Sequence, residues 1–501
     1  MASLDKVADN HVEQIAESVH SIDDKQKGAD IDNARQLAQQ YVPGSPEEKA
    51  LLRKLDWRLI PCVWVLYLLG FLDRANIGNA KTGGLEDDFN LTSNQYSIIV
   101  IVFFISYLIC EVPSNMILTR VRPHVYLPGL GIFWGTVAAC MGATQNWGQV
   151  AGLRFLLGVA EAGFAPGCAF YLSSWYRKYE LATRYAFIYT SVPLAGAISG
   201  LLAGLITEYM DGAAGLAGWR WLFILEGIAS IVAATVIFFL MPDYPSTSKR
   251  FLNEEETILA CNRLAMDGIA LTQGAHGEGL SHWKAFKMCV SDWRTWAQCI
   301  LFTLVTGSQT MSYFIPTLIS SFGWKGHSGQ YHTIPPYAAA LTYIVVCAWL
   351  ADRYRTKWPF LAGLSGLGTV LFIAVTLTTD KMTRYILTIF AFGTIYGCSP
   401  LVKTWVADVI PHPAEKRAIA IALINSIGNA SSIYGSWLWP SKDAKHGYIP
   451  GFATTTTWLG MCSILTLVFA WLFNKYPVKK VEQEDIMASE LRAQREKIAR
   501  V

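Results

Sequence analysis

Two short stretches of the sequence place acidic and basic side chains inside long apolar segments. In FLDRANIG, Asp73 and Arg74 follow residues 59–72, which contain no charged side chain. In RFLLGVAEAGFAPG, Arg154 and Glu161 are seven residues apart, which is two turns along one face of a helix. An ionisable group inside a membrane costs ~2.5 kcal/mol or more, so such groups usually face a protein interior or a water-filled cavity. These four residues are therefore the first candidates for a functional site.

The four residues could bind protons and an anion in a coupled way. Counted at ~1.5 Å per residue, they lie at overlapping depths, so two acids and two bases can neutralise one another. Protonation of Asp73 or Glu161 would release a neighbouring arginine, which could then hold a carboxylate. Two other interpretations stay open. Asp73 and Arg74 could mark the outer end of a span and reach the interface, or the network could only tie helices together.

The rest of the chain supplies the membrane segments that would position these residues. Of its 501 residues, 52% are apolar and only 16% are charged, which is typical of a polytopic membrane protein. Lys and Arg crowd alternate loops, so the positive-inside rule puts both termini in the cytoplasm. Twelve apolar runs have roughly spanning length. They cover about residues 57–80, 95–117, 125–144, 148–173, 184–208, 219–241, 295–320, 333–351, 358–378, 383–410, 417–440 and 452–474.

The sequence predicts an all-α polytopic membrane protein with twelve transmembrane helices in two six-helix halves. The predicted divisions are a disordered cytoplasmic arm (1–50), the first half (51–241), a cytoplasmic linker (242–294), the second half (295–476) and a cytoplasmic tail (477–501). The surroundings of Pro166 and Pro400 match at a shift of about 234 residues, which indicates an internal repeat and a central cavity. Gly196, Gly200 and Gly204 form a ridge that predicts close helix packing.

Two charged features near the predicted inner face are candidates for gating. Glu111, at the end of span two, could pair with Arg120 or Arg122 as a latch, or could simply be solvated at the interface. The turn DRYRTK between spans eight and nine could hold the inward gate in one state, or could only supply positive charge to the inner face. The gating candidates in this turn are Asp352, Arg353 and Arg355.

Spans ten and eleven add polar side chains that could bind a substrate or bridge helices. These candidates are Tyr396, Ser399, Asn425 and Asn429. Lys403 could attract an anion, but the favoured interpretation is that it extends towards the inner face beside Asp408. In span six, Glu226 is expected to pair with Arg220 or to meet interfacial water, and it is not assigned to the site.

Several classes of protein are disfavoured by what the sequence contains. A primary pump would need a nucleotide site, and no GxxxxGK[ST] motif occurs. All nine histidines fall in the tail, loops or span ends, so a metal enzyme is not expected either. We expect no enzyme activity, cofactor, metal or nucleic-acid partner. The expected partners are the lipid bilayer and small solutes, with the protein acting as a monomer.

The motifs resemble those of a known transporter family. Two six-span halves, the DRYRTK turn and the long central loop resemble the major facilitator superfamily, and FLDRANIG with RFLLGVAEAGFAPG resembles its anion:cation symporter branch. The sequence IYGSWLWP at 433–440 and the polar N-terminal arm are similar to the fungal allantoate permease group. The resemblance covers about residues 50–476. It implies a plasma-membrane symporter that imports protons with a small organic anion such as nicotinate, pantothenate, biotin or allantoate by alternating access.

The resemblance also assigns roles to individual residues. It implies proton coupling at Asp73 and Glu161, and anion binding and ordering of the network by Arg74 and Arg154. The family's charged turn between spans two and three lacks its usual acid and glycines here, so the gating assignment depends more on the turn at Asp352. The alternative function is an exporter or facilitator of a secondary metabolite. A non-transporting nutrient sensor is less favoured, because the tails are short.

Overall fold

A computed structural model describes residues 44–118, 121–245, 247–248, 251–266, 282–354, 356–410, 414–440 and 447–476. In these ranges the secondary structure is helical and contains no strand. The helices of the first half are α1 Pro46–Ala80, α2 Ser93–Leu118, α3 Pro123–Met141, α4 Trp147–Glu161, α5 Phe164–Ser173, α6 Lys178–Tyr189, α7 Ser191–Tyr209 and α8 Gly218–Leu240. A π-helical turn, Lys81–Leu85, and the short helix Glu86–Asp88 extend α1.

The linker and the second half continue the helical chain. The linker contains α9 Glu254–Met266 and α10 His282–Val290. The second half contains α11 Trp293–Gln309, α12 Ile315–Ser321, α13 Gly326–Tyr331, α14 Ile334–Tyr354, α15 Trp358–Leu377, α16 Lys381–Val409, α17 Ala414–Gly435 and α18 Ile449–Lys475. Short 3₁₀ turns lie at Ala213–Gly215, Thr310–Phe314 and Ser436–Leu438.

The all-helical polytopic fold predicted from the sequence is confirmed. Among the described residues, ten helical segments are long and apolar enough to cross a membrane. The two other predicted spans, 295–320 and 417–440, coincide with α11 to α12 and with α17. Both carry polar side chains that line a central cavity, including Gln309, Thr310, Asn425 and Asn429. These two spans are therefore less apolar because they line the central cavity.

The first helix begins earlier than the hydropathy indicates. The hydroxyl of Ser45 accepts a hydrogen bond from the backbone N–H of Glu48 at 3.1 Å, and Pro46 occupies the first turn. Both features are typical of a helix N-terminus. Residues 46–50, predicted as the end of the disordered arm, therefore belong to α1. The remainder of that predicted arm, 1–43, and the predicted tail, 477–501, lie outside the described residues.

The glycine ridge of α7 packs against the second half of the chain. A methyl group on Gly200 would overlap the Thr333 hydroxyl and would lie 3.2 Å from the carbonyl oxygen of Gln330. The three ridge glycines and the side chains that a methyl group would overlap are Gly196 with Tyr337, Gly200 with Thr333 and Gly204 with Tyr331. The predicted close packing is confirmed, and it joins the two halves near the C-terminal end of α7. We call this end of the molecule, predicted to be extracellular, the outer end.

Candidate functional site

A central cavity lies between the two halves, with ten lining residues from the first half and twelve from the second. Its aromatic lining comprises Tyr67, Phe71, Phe104, Tyr107, Tyr189, Phe302, Tyr313, Tyr337 and Tyr396. Two charged side chains line it, Arg74 and Lys403, and both are basic. An aromatic wall with positive charge is suited to a planar organic anion.

Arg74 links the cavity to a buried carboxylate. Its Nε donates a hydrogen bond to Oε2 of Glu161 at 2.5 Å, and the Glu161 side chain is only 2% exposed. The guanidinium carbon also lies 4.7 Å from the ring centroid of Phe71 and 4.9 Å from that of Tyr107. Glu161 is the last residue of α4, and the next helix, α5, begins at Phe164. The cation on the cavity wall is thus held by an acid behind it.

Asp73 is not part of this ion pair. Its buried carboxylate accepts a hydrogen bond from Ser230 of α8 at 3.2 Å, and the residue does not line the cavity. Asp73 and Arg74 are consecutive on α1 and point about 100° apart, and of the two only Arg74 lines the cavity. The sequence predicts mutual neutralisation of four charged groups, but the structure forms one direct ion pair, Arg74 with Glu161.

Arg154 is buried behind the cavity wall. Its side chain is fully buried, and its three guanidinium nitrogens have no hydrogen-bond partner among the described residues. The guanidinium carbon lies 4.9 Å from the ring centroid of Phe103, and that of Arg74 lies 5.2 Å from the same ring. Arg154 does not line the cavity. Its predicted contact with substrate would therefore need a rearrangement around Phe103.

Glu111 joins the two halves through contacts with α17. Its carboxylate accepts hydrogen bonds from the amide of Asn425 at 3.1 Å and from the hydroxyl of Ser426 at 3.0 Å. The side chain is buried, so the interpretation as a solvated interfacial acid is wrong. One of the arginines predicted to pair with it, Arg120, lies outside the described residues. Asn425 lines the cavity, so Glu111 contacts a residue of the cavity wall.

The other predicted ligands divide into cavity residues and a supporting residue. Tyr396, Asn425 and Asn429 line the cavity. Ser399 does not, but its hydroxyl lies 2.9 Å from that of Tyr189, which does. This contact connects α6 with α16 and is a second polar link between the halves.

Lys403 lines the cavity, as an anion-attracting residue would, and does not extend to the inner face as favoured from the sequence. Its ammonium nitrogen lies 5.0 Å from the ring centroid of Phe302 and 5.3 Å from that of Tyr189. Asp408, its expected partner, instead accepts a hydrogen bond from Lys357 at 2.7 Å. Lys403 lies six residues before Val409, the last residue of α16. This distance from the helix end was the signal in the sequence that Lys403 belongs to the cavity. Two aromatic faces hold this cation at the cavity wall.

Glu226 is a further buried acid, and it was not predicted to belong to the site. It pairs with the amide of Asn76, not with Arg220 or water. Asn76 in turn accepts a hydrogen bond from Ser199 at 2.7 Å, and Asn79 donates one to Ser199 at 2.6 Å. Arg220 donates to backbone carbonyl groups instead. Asn76 and Asn79 therefore connect α1 to α7 and α8.

The same polar chain reaches the second half at the outer end. The amide of Gln330 donates to the carbonyl oxygen of Asn79 and to the hydroxyl of Thr82, each at 3.0 Å. Nearby, the Tyr96 hydroxyl donates to the carbonyl oxygen of Tyr313 at 2.9 Å. These contacts close the outer end of the cavity.

The predicted gating turn is described only in part. Arg353 is exposed in the last turn of α14. The side chain of Asp352 and the whole of Arg355 lie outside the described residues. Lys357, the last residue of the motif, reaches Asp408 at the end of α16. The turn therefore has at least one contact with another span of the same half.

Comparison with known proteins settles the family. The family model described as "Major Facilitator Superfamily" matches residues 63–436. This chain belongs to the major facilitator superfamily. It is 36% identical over 413 residues to "MFS transporter prlL" of a fungal species, strain NRRL 50135, covering 80% of this chain and 82% of that protein. It is 32% identical over 395 residues to the Pseudomonas putida protein named "Putative metabolite transport protein NicT", covering 78% of this chain and 87% of that protein.

The fold of this superfamily member is also found among solved structures. The crystal structure of a bacterial homologue of the human lysosomal transporter Spinster, described as inward-facing and unoccupied, superimposes with a TM-score of 0.65. The match covers 83% of this chain and 97% of the other at 14% identity. At this identity the likeness shows the fold alone. Membership of this superfamily makes the protein a multi-pass membrane transporter.

Proposed function

We propose that this transporter imports a small organic anion together with protons by alternating access. The observation that carries the proposal is the arrangement of Arg74, which lines the central cavity and is held at 2.5 Å by the buried Glu161. A second cation, Lys403, lines the same cavity, and no acid does among the described residues. The cavity therefore favours negatively charged solutes.

The proton enters the proposal through competition for Arg74. While Glu161 is ionised, it occupies the guanidinium that a substrate carboxylate would bind. Protonation of Glu161 removes that competing charge, so Arg74 becomes available to the anion. By linkage, a bound anion in turn favours the protonated form of Glu161. Uptake should then rise as the external pH falls. Asp73, beside Ser230, is proposed as the second proton site.

The aromatic lining narrows the proposed substrate to anions that carry a flat ring. Nine aromatic side chains surround the two cations, and ring faces pack well against planar unsaturated groups. Among the candidates, nicotinate fits this lining better than allantoate, whose ureide groups need many hydrogen-bond partners. Asn425, Asn429 and Gln309 would then fix the orientation of the ring.

Alternating access needs contacts that break on either side of the cavity. At the outer end these are the bonds of Gln330 to α1 and the packing of the α7 ridge. Towards the inner end they are Glu111 with Asn425 and Tyr189 with Ser399. We infer that the two sets open in turn, with both termini in the cytoplasm and the protein in the plasma membrane.

Uptake into yeast lacking the corresponding transporters tests this function. Labelled nicotinate, pantothenate, biotin and allantoate would be supplied at about pH 5 and pH 7, with and without a protonophore. The proposal expects accumulation of one anion, higher at acid pH and abolished by the protonophore. Loss of preloaded substrate from cells, without accumulation, would favour the exporter. Uptake of no anion by protein confirmed at the cell surface would contradict the proposal.

A further inference from the structure

An open basic cleft lies at the N-terminal end of the membrane part of α1, far from the central cavity. It is lined by Ala50, Arg53, Lys54, Trp57, Arg58 and Phe251. The first five lie on two turns of α1, and Phe251 comes from the linker. Three of the six lining residues are cations, and none is an acid. The cleft is thus a concentrated positive surface.

The described contacts within the cleft neutralise only part of its positive charge. Lys54 binds Glu256 of α9 at 2.7 Å. Arg58 donates from Nε to the carbonyl oxygen of Leu240 at 2.9 Å, and this bond leaves its two terminal nitrogens available. Arg53 is exposed and makes no hydrogen bond or ion pair among the described residues. Among the described residues, Lys54 is therefore the one cation of the cleft that forms an ion pair.

The surroundings of the cleft place it at a membrane surface. Leu240 is the last residue of the very apolar helix α8, where that helix leaves the apolar layer. Beside it Phe239 is 77% exposed, and within the cleft Trp57 is 79% exposed. Exposed aromatic rings at the end of a spanning helix are typical of the headgroup region. A ligand of this cleft would meet cations on one side and acyl chains on the other.

We propose that the cleft binds the phosphate group of an anionic phospholipid. Arg53 and Arg58 would hold the phosphate oxygens, since guanidinium groups match phosphate geometry. Trp57 would pack against the glycerol and upper acyl region. Because Lys54 and Phe251 connect the cleft to the linker, a bound lipid would join α1, α8 and the linker at one point. A free phosphate ion would use the cations but gain nothing from the exposed rings.

Native mass spectrometry of the purified full-length chain can measure this binding. The protein would be titrated with phosphatidylserine, with phosphatidylcholine and with inorganic phosphate. We expect a saturable phosphatidylserine adduct that phosphatidylcholine does not replace. Arg53→Gln, which breaks no described contact, should weaken the adduct about fivefold, as expected for one basic residue near a lipid surface. Trp57→Ala should also weaken it, with all charges kept.

A matched control separates the cleft from general surface charge. Arg353→Gln removes one exposed arginine from the same predicted face in the other half and should leave the adduct unchanged. Equal weakening by Arg353→Gln, or no weakening by Arg53→Gln, would overturn the proposal. If inorganic phosphate competes with phosphatidylserine, and if the Trp57→Ala protein binds as well as the wild type, the cleft takes free phosphate and not lipid.

Discussion

At the scale of single residues, the sequence identifies costly groups but not the direction in which they point. Asp73, Arg74, Arg154 and Glu161 were found because charge inside an apolar run is visible in the sequence. Which of them faces the cavity depends on the rotation of each helix, and that is set by packing. Lys403 was misplaced for the same reason, because its aromatic neighbours come from two other helices.

Lys403 gives a direct prediction for substrate binding. Replacing it by Gln removes one of two cations from the cavity wall, so the KM for the transported anion should rise by about tenfold or more, since a charged hydrogen bond contributes about 1.5–3 kcal/mol. The maximal rate should change less. Lys475→Gln, at the exposed end of α18, is the control and should match the wild type. An unchanged KM for Lys403→Gln would argue against an anion bound near this lysine.

At the scale of helices, hydropathy located the most apolar spans correctly. It missed the ends of helices whose terminal turns are polar. The start of α1 was missed because its first two turns are charged, although Ser45 and Pro46 form a recognisable N-terminus. The glycine ridge of α7 was recognised from its four-residue spacing. Its partner could not be found from the sequence, since the ridge packs against residues of the other half.

The ridge predicts how to hold the outer end open. In Gly200→Val the new side chain would overlap Thr333, so the halves should no longer close at this end. With Ser312→Cys in the cavity wall as reporter, labelling by a membrane-impermeant maleimide from outside should increase several-fold. Gly363→Val, at a helical glycine with open space around it, is the matched control. Equal labelling of the two variants would mean that the ridge does not control outer access.

The linker helix α9 offers a test of buried against exposed ion pairs. Arg263 is fully buried and binds Glu48 at 2.9 Å and Glu180 at 2.6 Å. Arg263→Ala would remove a buried cation that binds two buried acids, a change that costs about 3–5 kcal/mol. Lys54→Ala removes a partly exposed pair with Glu256, for which about 0–1 kcal/mol is expected.

Thermal unfolding of the purified protein measures this difference. The melting temperature of Arg263→Ala should fall by several degrees, and that of Lys54→Ala should stay near the wild-type value. Similar melting temperatures for both variants would show that the cluster at Arg263 does not fasten the linker to the first half.

At the scale of the whole molecule, two halves enclose a cavity whose charged lining is basic and whose acids lie behind the wall. The sequence predicted the halves and most of the polar residues between them. It could not predict the contacts that close the cavity, because Gln330, Tyr331 and Thr333 contact α1 and α7 across more than a hundred residues of chain. Such pairs become neighbours only when the halves assemble.

Proton movement driven by the anion tests the proposed coupling through Arg74 and Glu161 most directly. Purified protein in liposomes with a trapped pH-sensitive dye would receive the anion found in the yeast assay, and internal acidification would be recorded. We predict acidification that depends on the anion in the wild type. The Glu161→Gln variant should lose this acidification but should still exchange labelled for unlabelled anion. Glu255→Gln, an exposed change in α9, should behave as the wild type. Anion-driven acidification by Glu161→Gln at the wild-type rate would contradict the coupling through Arg74 and Glu161.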